Sequence, residues 1–86
     1  MKTIYVRQMR FEVAKSHFLR ELDAAFMSGE TEIEVIHGVG TYALKNMIHE
    51  EASKLDYITL LPSSNPGVTR LEISGPDEHI LRQYIE

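Results

Sequence analysis

The chain has 86 residues, no cysteine, 43% hydrophobic and 26% charged residues, and a formal net charge of −4. That size and composition describe one globular domain held together by its core, with neither disulfides nor a thiolate metal site available to it. No apolar run approaches the roughly 18 residues of a membrane span, so a cytoplasmic protein with no membrane partner is expected, and the acidic balance excludes a broad electrostatic grip on nucleic acid, confining any such contact to a local patch.

From Thr3 to Arg7 the chain alternates, Ile4 and Val6 on one side against Thr3, Tyr5 and Arg7 on the other, the period of a half-buried strand. From about Arg10 to Ser28, Phe11, Ala14, Phe18, Leu22 and Ala25 step by three or four, which predicts an amphipathic helix ended by Ser28-Gly29. His17 lies on the flank of that stripe and reads as a partly exposed structural residue. A second strand, about Glu32 to Ile36, places Ile33 and Val35 inward and Glu32, Glu34 and Ile36 outward. Leu44, Met47, Ile48, Ala52 and Leu55 then recur at helical spacing and predict a second helix from Thr41 to about Lys54. On it, His49, Glu50 and Glu51 read as a solvated face, since no second ligand cluster accompanies them.

A third strand, about Tyr57 to Leu61, runs into Pro62-Ser-Ser-Asn-Pro-Gly67, a loop too long for a tight hairpin turn. Val68 to Ile73 alternates once more, with Thr69, Leu71 and Ile73 against Val68, Arg70 and Glu72. The order β-α-β-α-β-β predicts an α+β fold of two layers with a four-stranded mixed sheet: a parallel first pair, both helices on one face and the other face open. The last two strands pair antiparallel or sit apart. Residues 75–86 read as a short helical extension after a domain of residues 1–74, with Pro76 near its first turn and Asp77 and Glu78 complementing its dipole. So short a helix must dock, on its own sheet or on another subunit.

The chemistry concentrates in Ile36-His37-Gly38-Val39-Gly40-Thr41, where an apolar strand becomes a helix across a few residues. Gly38 and Gly40 let the backbone turn sharply, and Thr41 is suited to cap the helix through its hydroxyl. The amides from His37 to Gly40 and the positive end of the helix dipole then attract a phosphate or another anion, with His37 at the rim as the titratable ring. Parallel strands release their chains at one edge of the sheet, so Arg7-Gln8 and His37-Gly38 should converge there. Arg7 and Arg10 add charge, and Lys45 reaches the same edge from the first turns of its helix. For Arg7 two readings stay open: phosphate contact, or pairing with Glu34 on the open face of the sheet.

The same segment, Ile36-His37-Gly38-Val39-Gly40-Thr41 followed by Tyr42-Ala43-Leu44-Lys45, resembles the I-H-G-x-G-x-G-x-L-[RK] hallmark of the Smr (small MutS-related) domain, Tyr42 standing where the family often has its third glycine. Ile4-Tyr5-Val6-Arg7-Gln8 is similar to the family's opening L-D-L-[HR]-G, closest to the form that ends the second type of bacterial MutS protein. Gly67-Val68-Thr69 matches its G-V-T. The resemblance covers about residues 3 to 73. It implies the fold of the C-terminal domain of translation initiation factor three, and a module that binds or nicks branched and duplex DNA or cuts RNA.

Tyr5 replaces the acidic residue of the first motif, Arg7 a frequent histidine, Gln8 its glycine and Val39 a frequent lysine. Each change removes a proton-transfer group, a carboxylate, a glycine or a positive charge, so the resemblance implies binding more directly than cleavage. The first expectation is therefore a module that holds the DNA or RNA backbone through Arg7, Arg10, His37, Gly38, Val39, Gly40, Thr41 and Lys45, by shape rather than by a base code, with no metal and no cofactor. The second is a DNA-nicking or RNA-cleaving endonuclease with His37 as the one general acid or base within the matched motif. The third is a protein-interaction or dimerisation module using the C-terminal helix and the open face.

Overall fold

The computed structural model describes residues 1–40 and 42–74. The elements are β1 (Lys2–Tyr5), α1 (Phe11–Met27), β2 (Glu32–Ile36), α2 (Tyr42–Ser53), β3 (Ile58–Leu61) and β4 (Val68–Ile73). The strands form one sheet in the order β1-β2-β4-β3. β1 runs parallel to β2, while β4 pairs antiparallel with β2 on one side and β3 on the other. The final strand thus inserts next to β2, which places the start of β4 against the end of β2, Ile36 opposite Val68.

Strand parity decides the layers. Ile4, Val6, Ile33, Val35, Leu71 and Ile73 are all buried, and Ala14, Phe18, Leu22 and Ala25 of α1 and Leu44, Met47, Ile48 and Ala52 of α2 join them in one core. Burying side chains such as Phe18 or Leu22 contributes roughly 1.5–3 kcal/mol each. Tyr5 and Glu72 remain exposed on the opposite face, with Glu34 and Arg70 half-buried between them. The expected α+β architecture, two layers on a four-stranded mixed sheet, is the one observed.

The end of α1 follows from Gly29, whose φ of +80° makes it the left-handed residue after the helix. The Glu30 amide reaches back to the Ala25 carbonyl (3.0 Å) and the Gly29 amide to that of Phe26 (3.3 Å), so the last carbonyls of the helix are satisfied. The Phe26 ring packs on Tyr57 with centroids 4.2 Å apart, tying this end of α1 to the entrance of β3. On the open face it is Arg70, not Arg7, that forms an ion pair, and its partner is Glu32 rather than Glu34. Register separates the two arginines: Glu34 lies beside Thr3 on β1, well before Arg7, whereas Arg70 on β4 is opposite Glu34 and within diagonal reach of Glu32. Half-buried at the sheet surface and still open to solvent, the pair contributes on the order of a few tenths of a kcal/mol.

The C-terminal helix expected over residues 75–86, and with it the proposed docking surface for a second copy or a protein partner, lies outside the described residues. So does Thr41, the expected cap and anion contact. Among the described residues, no helix is long and apolar enough to cross a membrane.

Candidate functional site

β1 and β2 release the chain at the same edge of the sheet. The Val6 and Arg7 amides both donate to the Ile36 carbonyl, at 3.0 and 3.1 Å, which holds the two exits side by side. Both then need left-handed backbone. Gly38 and Gly40 have φ of +86° and +90°, values that favour glycine, and in the first exit Gln8 takes φ +68° without being one.

The loop between β3 and β4 closes over the second exit. The Asn65 side-chain carbonyl accepts from the Gly67 amide at 2.9 Å, and its main-chain carbonyl accepts from Val68 at 3.1 Å, a local turn that points the Gly67 carbonyl at β2. That carbonyl accepts from both the His37 and the Gly38 amides, each at 3.0 Å. Two of the four amides expected to face an anion are therefore engaged within the fold. Among the described residues, neither the Val39 nor the Gly40 amide donates to a backbone acceptor. The loop can sit this close because residue 67 has no side chain: a Cβ there would lie 3.3 Å from the Gly38 backbone and from Val39 Cγ2.

His37 is not at the rim. Its ring is turned inward and is 1% exposed. Nδ1 lies 3.0 Å from the Gly38 carbonyl and Nε2 2.9 Å from Thr69 Oγ1. The correction has a plain cause: after Ile36, which faces outward, strand parity carries the next side chain to the core face, where β4 presents the Thr69 hydroxyl. Thr69 also meets the Nε2 of His49 at 3.1 Å. His49 is consequently no part of a solvated face. Desolvation by burial, and then the charge of Lys45, hold its imidazole below the ordinary histidine value.

Two concavities flank the turn and share Lys45 and Pro66. One, of about 140 Å³, is lined by Gly38, Val39, Gly40 and Tyr42 in addition; the other, of about 150 Å³, by His49, Thr69 and the residues of β3 and its loop. On the far side of Val39, Arg7 lines a third hollow with Gly38 and Gly67. Its aliphatic stem lies over Gly38, with Cγ 3.3 Å from where a Cβ would be. Val39 and Tyr42 are about three-quarters exposed, at 74% and 73%, so the crest of the turn stands clear between two cations.

The structure therefore brings Arg7, Gly38, Val39, Gly40 and Lys45 to one rim. Arg10, exposed at the N-cap of α1, is not among the residues lining these hollows. The residue that sequence reading missed is His49. One piece of the signal was there, Thr69 at an inward position of β4, whereas His49 lies about 140° round α2 from Leu44, off the apolar stripe, so its spacing gave no sign of a buried partner. Only the insertion of β4 beside β2 shows that they meet.

Three comparisons with known proteins bear on this geometry. The family model described as the Smr domain matches residues 4–67. Endonuclease MutS2 of Halothermothrix orenii is 37% identical over 57 residues, which is 66% of this chain and 7% of that protein. Endonuclease MutS2 of Solidesulfovibrio magneticus is 48% identical over 44 residues, 51% of this chain and 6% of that protein. The chain thus spans well under a tenth of the length of these relatives. The crystal structure of the Smr domain of Thermus thermophilus MutS2 superimposes with a TM-score of 0.74 at 23% identity, covering 86% of this chain and 99% of that one, a likeness of fold.

Proposed function

Because the chain belongs to the Smr domain family, we propose that it binds the phosphate backbone of DNA or RNA at the turn between β2 and α2, and that it cleaves the strand weakly or not at all. The observation that carries this reading is the pair of Val39 and Gly40 amides at the foot of α2, which among the described residues donate to no backbone acceptor and lie between Arg7 and Lys45. A helix start with unpaired N–H groups favours a negative charge, and the two flanking cations add point attraction. Contacts of this kind grip a backbone and set orientation without reading bases.

Cleavage asks for groups the rim does not offer. Tyr5 stands where the family has a carboxylate and is 61% exposed on the open face of the sheet. Arg7 offers a guanidinium fork, a group suited to holding a phosphate. His37 is buried with both ring nitrogens bonded, a position for holding the turn rather than for meeting a substrate. The relatives' name, endonuclease, supports a nicking or RNA-cleaving activity as the second reading.

A filter-binding series against single-stranded, duplex and branched DNA and against RNA, at two salt concentrations, tests both. Binding is expected to weaken with salt, with a slope of about −2 in log K against log salt for two phosphate-neutralising cations, and Lys45→Ala should reduce that slope by about 1. Strand scission that survives purification and disappears with a rim substitution supports the second reading. Absence of binding at low salt removes both.

A further inference from the structure

His37 at the end of β2, Thr69 on β4 and His49 on α2 form a hydrogen-bonded chain beside the groove, and the direction of that chain follows from its donors and acceptors. The Gly38 carbonyl can only accept, so the His37 nitrogen 3.0 Å from it, Nδ1, carries the hydrogen. In the neutral ring Nε2 is then the acceptor, and the Thr69 hydroxyl, 2.9 Å away, directs its single hydrogen there. With that hydrogen committed, the Nε2 of His49, 3.1 Å from the same oxygen, must be the donor. His49 is thereby fixed as the Nε2–H tautomer, and Nδ1 is its basic nitrogen.

Exposure separates the three members of the chain. His37 and Thr69 are 1% and 4% exposed, whereas His49 is half-buried and lines the groove together with Lys45. We propose that His49 is the proton-exchanging residue of this site: it takes up a proton from solvent at Nδ1 when a phosphodiester settles against Lys45, while Thr69 and His37 position its ring. The inference rests on the backbone binding proposed above.

The ionisable groups facing His49 are Lys45 on its own helix and His37 across Thr69. The lining from β3, β4 and the loop between them carries no ionisable side chain. Burial and the Lys45 charge hold the free His49 ring below the ordinary histidine value. A phosphodiester reverses the balance by adding a negative charge beside Lys45, which favours the protonated ring. Proton uptake linked to binding makes affinity fall as pH rises through the window between the free and the bound values.

The test uses the 86-residue chain and a labelled mixed-sequence DNA duplex at low salt. From about pH 6 to about pH 8 binding by the wild-type chain is expected to weaken about 3- to 10-fold. His49→Gln keeps an N–H for Thr69 but cannot take a proton, and should bind at the weaker, high-pH level throughout. Nitrogen shifts of the His49 ring in the ligand-free protein should report the Nε2–H tautomer, and Thr69→Ser, which keeps the hydroxyl, should preserve both that tautomer and the pH slope. A slope retained in His49→Gln, or an Nδ1–H tautomer in the wild type, overturns the inference. Binding that is present but independent of pH overturns it alone; no binding at either pH removes the binding reading as well.

Discussion

Two strand exits sit side by side at one edge of the sheet, and they solve the same backbone problem differently. After β2 the left-handed positions are Gly38 and Gly40; after β1 the left-handed position is Gln8. Around the first pair the inner groups are committed, the His37 and Gly38 amides to Gly67 and the His37 ring to Gly38 and Thr69, while among the described residues the Val39 and Gly40 amides donate to no backbone acceptor. Around the exit after β1, the Arg7 and Gln8 side chains stand exposed. The exit after β2 keeps the built turn, and the exit after β1 keeps only its path. This contrast is the structural basis for the proposal that the domain holds a strand better than it cuts one.

Substitutions at the two exits can break that contrast. Thr69→Val should do most damage, because it leaves two imidazole nitrogens, one of them buried, without their hydroxyl; denaturant unfolding should show a loss of about 1–3 kcal/mol. Gly38→Ala should lose about 1–2 kcal/mol, mainly from left-handed backbone, since the atom its Cβ meets first belongs to the flexible Arg7 side chain. Gln8→Gly should move the other way and raise stability by up to about 1 kcal/mol, the strain relieved outweighing the added chain entropy. A Gln8→Gly protein less stable than wild type would mean that the first exit is held by contacts of the Gln8 side chain and not merely tolerated.

The smallest effect separates the exits by pH. The folded chain holds the His49 imidazole below its ordinary value of about 6.5, so the unfolded chain binds the extra proton first as pH falls. Stability should therefore decline as pH drops below about 6.5, until the lowered folded value is passed and the decline from this group ends. His49→Gln should remove that part of the decline in unfolding curves measured stepwise in pH. Identical pH dependence in both proteins would detach His49 from the second exit.

Much of this was legible in the amino-acid sequence, for physical reasons. Period-two alternation in β1, β2 and β4 and the stripe Ala14, Phe18, Leu22 and Ala25 placed the layers, because one-sided burial writes itself into spacing, whereas Phe11, expected on that stripe, is exposed at the first turn of α1. Gly29 marked the end of α1 and the glycines of the second exit marked its turn, because positive φ restricts residue type. Legibility stopped where side chains meet across strands distant in sequence. Thr69 lies 32 residues from His37 and 20 from His49, and nothing local announces that β4 enters between β2 and β3. The same gap hid the Gly67 carbonyl, which takes two of the amides that spacing alone left open, and it gave Glu32 to Arg70 rather than Glu34 to Arg7.

Amide shifts of the nitrogen-15-labelled chain, followed while a short DNA duplex or RNA is titrated in at low salt, test the phosphate-binding rim most directly. The largest changes should fall on Val39, Gly40, Tyr42 and Lys45, extend to Arg7, and shrink as salt is added. Changes confined to the open face of the sheet around Tyr5, Glu34 and Glu72, or no changes at all, would contradict it.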